Sequence, residues 1–297
     1  MTKFDKYQGL GNDFVLFDTA NEPAVKDLSA KQISQLCDRR SGVGADGILL
    51  YTVLETGKRL RMIYFNSDGS RAETCFNGLR CMALHGVRSD DIAAATEFEI
   101  LQDSGIVKAE VDAGLNTIRI ELPAAKYDPL NAHFAGNHEV IDDHLDFSFG
   151  ELRGTLLSLG NPHFVTWKSN LSLSELEKQV CQTGPLLEKS SHFKQGINFE
   201  IASIVNENEI NMSVWERGSG FTMACGSGAT AAVCAGVKVG SLSKNKPVTV
   251  NMSGGHLIVT VNDEDDKIVI EGEAKFVFGG TVDLNNLSTV GAIDDWI

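Results

Sequence analysis

Residues 217–240 read RGSGFTMACGSGATAAVCAGVKVG, and the fold follows from how this stretch is read. One cysteine, Cys225, is followed at once by Gly226, Ser227 and Gly228. A run of small residues then continues through Ala229, Ala232, Val233 and Ala235 at helical spacing. A thiol at a helix N-terminus lies beside amides without helical partners and at the positive end of the dipole, which favours the thiolate. The expectation is a reactive cysteine of lowered pKa at the mouth of a helix.

The same arrangement occurs earlier, in AETCFNGLRCMALHGVRSD (72–90), around Cys75. Glycine stands three residues after each cysteine (Gly78, Gly228) and eleven after (Gly86, Gly236), followed by Val87 and Val237, then Arg88 and Lys238. Each cysteine is preceded by an apolar-rich run, LRMIYF (60–65) and INMSVW (210–215). A polar residue follows each run, Asn66 and Glu216. Further upstream, Gly11-Asn12 matches Gly160-Asn161. The chain reads as two related halves, each presenting one cysteine at a strand–loop–helix junction.

A length of 297 residues suits two domains, and 42% apolar with 22% charged residues suits ordinary globular cores. The net charge of −14 argues against a nucleic-acid surface. No apolar run is long enough for a membrane span, and the start, MTKFDKYQGLGND, carries no signal-peptide pattern. The six cysteines (37, 75, 81, 181, 225, 234) include no CxxC pair, so reduced cytoplasmic thiols are expected rather than zinc ligands or disulfides.

In chain order, strands are expected at 3–7 and 14–18 around the loop QGLGND, whose glycines and asparagine suit a tight turn. A helix follows from Ser29 to about Arg39, started by the capping-box spacing Ser29/Gln32, with Cys37 on its apolar stripe. The GxG in SGVGADG (41–47) opens no helix and has no GK[ST], so it is not read as a nucleotide loop. Strands are expected near 97–102, 106–111 and 117–122, with a turn at Asp112–Asn116. Residues 123–150 are polar and irregular, and His133, His138 and His144 there read as solvated loop residues. In the second half, Ser174 and Glu177 give a capping-box spacing for a helix to about Cys181. A strand meander at 247–252, 256–262 and 267–271 precedes a final strand. The fold expected is α+β: two pseudo-symmetric domains, each a β-structure wrapped around a central helix, with the active site in the cleft between them. The division expected is 1–122 with 276–297, and 123–275.

Two thiols addressing one substrate suit one chemistry, removal of a proton from one face of a carbon and delivery of another to the opposite face. The pair must then hold one thiolate and one thiol together. An α-proton beside a carboxylate is poorly acidic, because its loss gives a dianionic enediolate. Backbone amides of Phe76, Asn77, Gly226 and Ser227 at two helix N-termini are placed to hold that carboxylate. No cofactor and no metal are required. Arg217 offers a fork for a second carboxylate, and Glu216 an acceptor for an ammonium group.

The motifs KYQGLGNDF, FNSDGSRAETC, LGNPHFV, GINFE and VWERGSGFTMACGSG resemble, in the same order and across nearly the whole chain, those of the diaminopimelate epimerase family. The resemblance implies a cofactor-independent isomerase converting LL- to meso-diaminopimelate, in a cytoplasmic homodimer acting on a small amino-acid substrate. It implies Cys75 and Cys225 as the base/acid pair, with His163 and Glu216 tuning them. It implies substrate contacts from Asn12, Asn66, Asn77, Asn161, Asn198, Glu216, Arg217, Gly226 and Ser227. The sequence departs from the family pattern at Phe76, which gives CFNG in place of CGNG, at Phe221, where the motif commonly reads GET, and at Gly47, which is Gln in some members. The alternative is a related amino-acid racemase with another side-chain preference. A cysteine hydrolase using Cys225 with His163 leaves Cys75 unexplained, and a non-catalytic amino-acid-binding protein needs neither thiol.

Overall fold

Alternation of apolar and polar residues lays down strands in the same order in each half. In the computed structural model, which describes residues 1–112, 114 and 117–288, the first half gives β1 (Thr2–Gly9), β2 (Asn12–Asp18), α1 (Ala30–Cys37), β3 (Gly47–Glu55), β4 (Arg59–Asn66), β5 (Arg71–Ala72), α2 (Phe76–Arg88), β6 (Phe98–Gln102) and β7 (Gly105–Asp112). β8 (Thr117–Leu122) leads into the second half. There β9 (Asp143–Phe147), β10 (Gly150–Ser158), β11 (Pro162–Trp167), α3 (Leu173–Glu188), β12 (Asn198–Asn206), β13 (Glu209–Glu216), β14 (Gly220–Thr222), α4 (Gly226–Lys238), β15 (Val248–Met252), β16 (Gly255–Val261), β17 (Ile268–Glu273) and β18 (Lys275–Val282) follow. Part of the turn expected at Asp112–Asn116 lies outside the described residues.

The chain divides into two units, Met1–Ile118 with Glu273–Ile297, and Arg119–Gly272. The expected division stood at 122/123 and 275/276. The observed one places most of β8 in the second unit, where that strand pairs with β17. In the first unit β1 pairs antiparallel with both β18 and β2, β2 runs parallel to β3, β3 antiparallel to β4, and β4 parallel to β6. The second unit repeats these relations, with β10, β11, β12, β13 and β15 in the places of β1, β2, β3, β4 and β6. The fold is α+β with the same strand–helix plan twice, as the repeat implies.

Each plan surrounds one helix. In α2 every residue from Phe76 to Gly86 is buried, and in α4 every residue from Gly226 to Gly236. A helix buried on all faces is a core element. The small residues of α4 let strands approach it closely. Their burial removes apolar area from water on every side, at roughly 25 cal/mol per Å².

The N-terminal signals are read correctly at α1, where Ser29 caps and forms the capping box with Gln32. Cys37 is core as expected, with burial pushing its thiol up to about 12. The helix stops at Cys37, two residues short of the expected end. At α3 the expectation is corrected. Ser172 is the cap and Glu175 closes the capping box, so the helix starts earlier than the Ser174/Glu177 spacing implied. It also continues past Cys181, through Pro185, to Glu188. Leu176, Val180 and Leu187 are all fully buried, and that stripe holds the helix together across the proline. Among the described residues no helix is long and apolar enough to cross a membrane.

Candidate active site

Each cysteine occupies the N-cap position of its helix. The Cys75 backbone is extended (φ −150°, ψ 104°), and its sulfur accepts the Gly78 N–H at 3.4 Å. The Cys225 backbone is extended too (φ −125°, ψ 115°), and its sulfur accepts the Gly228 N–H at 3.3 Å. Sulfur thus takes the place a serine or aspartate oxygen fills at an ordinary cap. Phe76 and Asn77, and likewise Gly226 and Ser227, form the first turns, whose N–H groups point out of the helix start. Phe76 is 5% exposed, so its ring is buried and its backbone N–H remains part of the first turn. Phe221, on β14, is exposed.

Around Cys75 the first unit brings Asn12 and Asn77 together. Asn77 Nδ2 donates to Asn12 Oδ1 (3.1 Å), and Asn12 Nδ2 donates to Asp46 Oδ2 (2.9 Å). Asp46 is itself held by Arg39, which also grips Asp13 with both guanidinium nitrogens. Asn66, the last residue of β4, turns its Nδ2 onto Ser70 Oγ (3.0 Å) and so stabilises its own turn. Gly47 begins β3 directly opposite Asn66.

Around Cys225 the second unit builds a longer network. His163 and Glu200 are both wholly buried, with Nδ1 and Oε1 2.7 Å apart. His163 Nε2 lies 3.0 Å from Asn161 Oδ1, and Asn161 Nδ2 donates to Ser227 Oγ at 3.2 Å. Ser227 Oγ stands 3.4 Å from Cys225 Sγ. The imidazole thus bridges the Asn161 side chain and the Glu200 carboxyl, giving the buried carboxyl group a hydrogen-bonding partner, which is how it is tolerated. Burial pushes the Glu200 carboxyl up and the imidazole opposes the rise. Thr222 donates to Glu216 Oε1, and Glu216 also bonds Cys225. Burial raises the Glu216 carboxyl despite these two donors.

These neighbours overturn the expectation of a low-pKa thiol at Cys225. The residue is 4% exposed. Burial first, then the Glu216 carboxylate, push its thiol well above the ordinary value, and the bonds from Ser227 and the Gly228 amide only partly offset them. A helix start favours a thiolate only while the sulfur stays solvated and no anion faces it. These surroundings favour the protonated form of Cys225.

Arg217 is positioned from three sides. Its N–H donates to Asn198 Oδ1 (3.0 Å), while Asn198 Nδ2 donates to the Pro162 carbonyl (2.8 Å). Its guanidinium reaches the Gln195 carbonyl (3.4 Å). The unexpected last turn of α3 supplies the third support. Glu188 accepts from Trp215 Nε1 and from the Gly218 N–H, both at 2.7 Å, bracketing the Glu216-Arg217 dipeptide. Trp215 can lie there because residue 184 is glycine, where an added Cβ would stand 2.3 Å from the indole.

Sequence reading missed Glu200, Glu188 and Arg80. A signal existed for Glu200, the one charged residue in the buried stretch NFEIAS of β12. The repeat also marks it. β2 sets Phe14 opposite Gly47 and β11 sets His163 opposite Asn198; two residues on, Leu49 and Glu200 correspond. The buried apolar pair Phe14 and Leu49 of one unit is thus replaced by the buried pair His163 and Glu200 in the other.

The family model for diaminopimelate epimerase matches residues 4–126 and 155–277, one segment for each half. A diaminopimelate epimerase of Moorella thermoacetica is 36% identical over 286 residues, covering 95% of this chain and 99% of that one. One of Bacillus pumilus is 33% identical over 285 residues, covering 94% and 98%. Among solved structures, a probable proline racemase of Agrobacterium radiobacter superposes with a TM-score of 0.71 at 13% identity, covering 99% of this chain and 97% of that one, a likeness of fold. With both halves matched by one model and near-complete overlap with these relatives, the chain belongs to the diaminopimelate epimerase family.

Proposed function

We propose that this isomerase interconverts LL- and meso-diaminopimelate by proton exchange at one α-carbon, with Cys75 and Cys225 acting on its opposite faces. One observation carries the reading: the same cysteine N-cap, with its sulfur on the amide three residues ahead, is built twice. A hydrolase needs one such thiol and a binding protein needs none.

In one direction the Cys75 thiolate forms an S–H bond as the Cα–H bond breaks, and the electron pair left on carbon spreads into the carboxylate. The Cys225 S–H then protonates the opposite face and leaves a thiolate. The reverse direction exchanges the roles, so no proton is gained or lost over the cycle. First-turn N–H groups of Phe76, Asn77, Gly226 and Ser227 hold the carboxylate as its charge grows, where fixed dipoles act more strongly than in water. Arg217 takes the distal carboxylate, and Asn12, Asn66 and Asn161 supply mixed donor and acceptor contacts to the zwitterion. Asn198 serves by fixing Arg217, since both ends of its amide are engaged within the protein. His163 and Glu216 set the protonation of Cys225.

The reading includes a cytoplasmic homodimer in lysine and peptidoglycan-precursor synthesis. Val277 and Phe278 of β18, 51% and 45% exposed, offer apolar surface for a second copy.

The substrate assignment is tested by chiral chromatography after incubation with LL-diaminopimelate, histidine, lysine, glutamate or proline. Conversion of LL-diaminopimelate at a kcat/KM on the order of 10⁴ M⁻¹ s⁻¹ or more is expected, with the others at background. Faster racemisation of any of the other four would reassign the substrate.

A further inference from the structure

The two thiols stand in opposite electrostatic surroundings. On α2, Arg80 lies five residues after Cys75 and is 0% exposed. Its Nη2 donates to Asn77 Oδ1 at 2.8 Å, its Nε to the Glu273 carbonyl at 3.2 Å, and its Nη1 to the Phe76 carbonyl at 3.4 Å. All three acceptors are neutral, and among the described residues no ion pair includes Arg80. A buried cation satisfied only by neutral acceptors is costly unless an anion lies near. Burial lowers the guanidinium's pKa, and the titratable groups that oppose this are Cys81, then Cys75 and Glu273. Cys81 is fully buried and burial drives its thiol far up, so it stays neutral. The Glu273 carboxylate is partly solvated and bonded to Lys275. Cys75, partly exposed, remains as the thiol whose ionised form the guanidinium can stabilise.

The corresponding position of α4 is Thr230, whose hydroxyl donates to the Gly226 carbonyl at 2.8 Å and brings no charge. At the strand ends, Asn66 stands where the second unit has Glu216, and Leu49 where it has Glu200. One unit thus places a buried cation near its thiol and the other two carboxyl groups.

We infer that Arg80 is a positioning residue that makes Cys75 the thiolate of the resting pair, its buried guanidinium both ionising that sulfur and locking the Asn77 side chain against Asn12. Cys225, facing Glu216, is the resting thiol. This rests on the two-thiol reading above. A turnover that starts from this state leaves Cys75 protonated and Cys225 as thiolate. Arg80 and Glu216 then drive the pair back, with Cys75 releasing its proton to solvent and Cys225 taking one up.

The test is the pH dependence of iodoacetamide alkylation at each cysteine, resolved by peptide mass spectrometry, in the full-length protein without substrate. In the unaltered protein the alkylation midpoint of Cys75 is expected below the ordinary thiol value and that of Cys225 above it. Arg80→Met should raise the Cys75 midpoint by about one pH unit or more, a tenfold loss of thiolate at neutral pH. Arg80→Lys should keep it low, and neither variant should move Cys225. A Cys75 midpoint at or above that of Cys225 in the unaltered protein would overturn the inference even if Arg80→Met fails to fold. An unmoved Cys75 midpoint in a folded Arg80→Met protein would overturn it too. The readout involves no turnover. A low Cys75 midpoint that depends on Arg80, found with full epimerisation by Cys225→Ala, would therefore remove the two-thiol reading and leave the Arg80 assignment standing.

Discussion

Cys75→Ala and Cys225→Ala are each expected to lower kcat/KM for LL-diaminopimelate by about 10³–10⁴-fold or more, with both variants folded. Each removes one of two proton carriers, and the remaining thiol has no partner on the opposite face. The double variant should fall to about the same residual rate as either single one, because groups that act as a unit are not additive. Stopped-flow or coupled assays on the three proteins, with thermal melts as a folding control, measure this. The cavity left by Cys225→Ala is small, but the variant removes a donor from buried Glu216 and the cap of α4, so a loss of about 1–2 kcal/mol is expected in the melts with the protein still folded. Either single variant retaining more than about a tenth of the rate would contradict the two-thiol account.

The second large effect concerns stability. His163→Phe leaves Glu200 wholly buried beside an aromatic ring, with no donor for Oε1. Among the described residues Oε2 has no partner even now. Breaking one side of a buried pair typically costs about 3–5 kcal/mol. The double variant His163→Phe with Glu200→Leu installs the apolar residues, Phe14 and Leu49, that the other unit buries at the corresponding positions. It is expected to regain most of that loss, so a double-mutant cycle in urea should show coupling on the order of 2–3 kcal/mol. A His163→Phe variant less than about 1 kcal/mol below the parent would mean the pair carries no uncompensated charge when broken. The catalytic prediction is separate. The double variant should remain far slower than the parent, since Asn161 and Ser227 lose the imidazole that orients them.

The contrast between those two pairs also explains how far the sequence could be read. Local patterns carried the architecture: the cysteine–glycine spacing, the apolar runs before it and the Ser29/Gln32 cap all recur as elements in place. α3 was misjudged because Ser172/Glu175 and Ser174/Glu177 offer the same capping spacing two residues apart. Only the buried stripe of Leu176, Val180 and Leu187 chooses between them. Its continuation through Pro185 depends on tertiary packing that a local rule against proline cannot weigh. The roles of Glu188 and Glu200 are long-range in the same sense. Glu188 matters through bonds to residues 27 and 30 positions away, and Glu200 through a strand register that aligns it with His163.

Cys225 shows the limit most clearly. Its local sequence signals a thiolate, and helix geometry agrees. Burial and a carboxylate brought in by β13 reverse the outcome. Only the fold reveals the burial and the carboxyl groups around Cys225, although the differences between the repeats, Asn66 for Glu216 and Arg80 for Thr230, are visible once the halves are aligned.

Proton exchange by two carriers has one direct isotopic signature. LL-Diaminopimelate turned over in deuterium oxide to less than a tenth conversion should yield meso-diaminopimelate carrying one deuterium, at the inverted α-carbon. The LL-diaminopimelate recovered at that point should carry none. Cys75 removes protium from one face while Cys225, equilibrated with solvent, delivers deuterium to the other. Protium retained in the meso product, or deuterium in the recovered LL substrate ahead of product formation, would show that one group both removes and returns the proton, and would contradict the account.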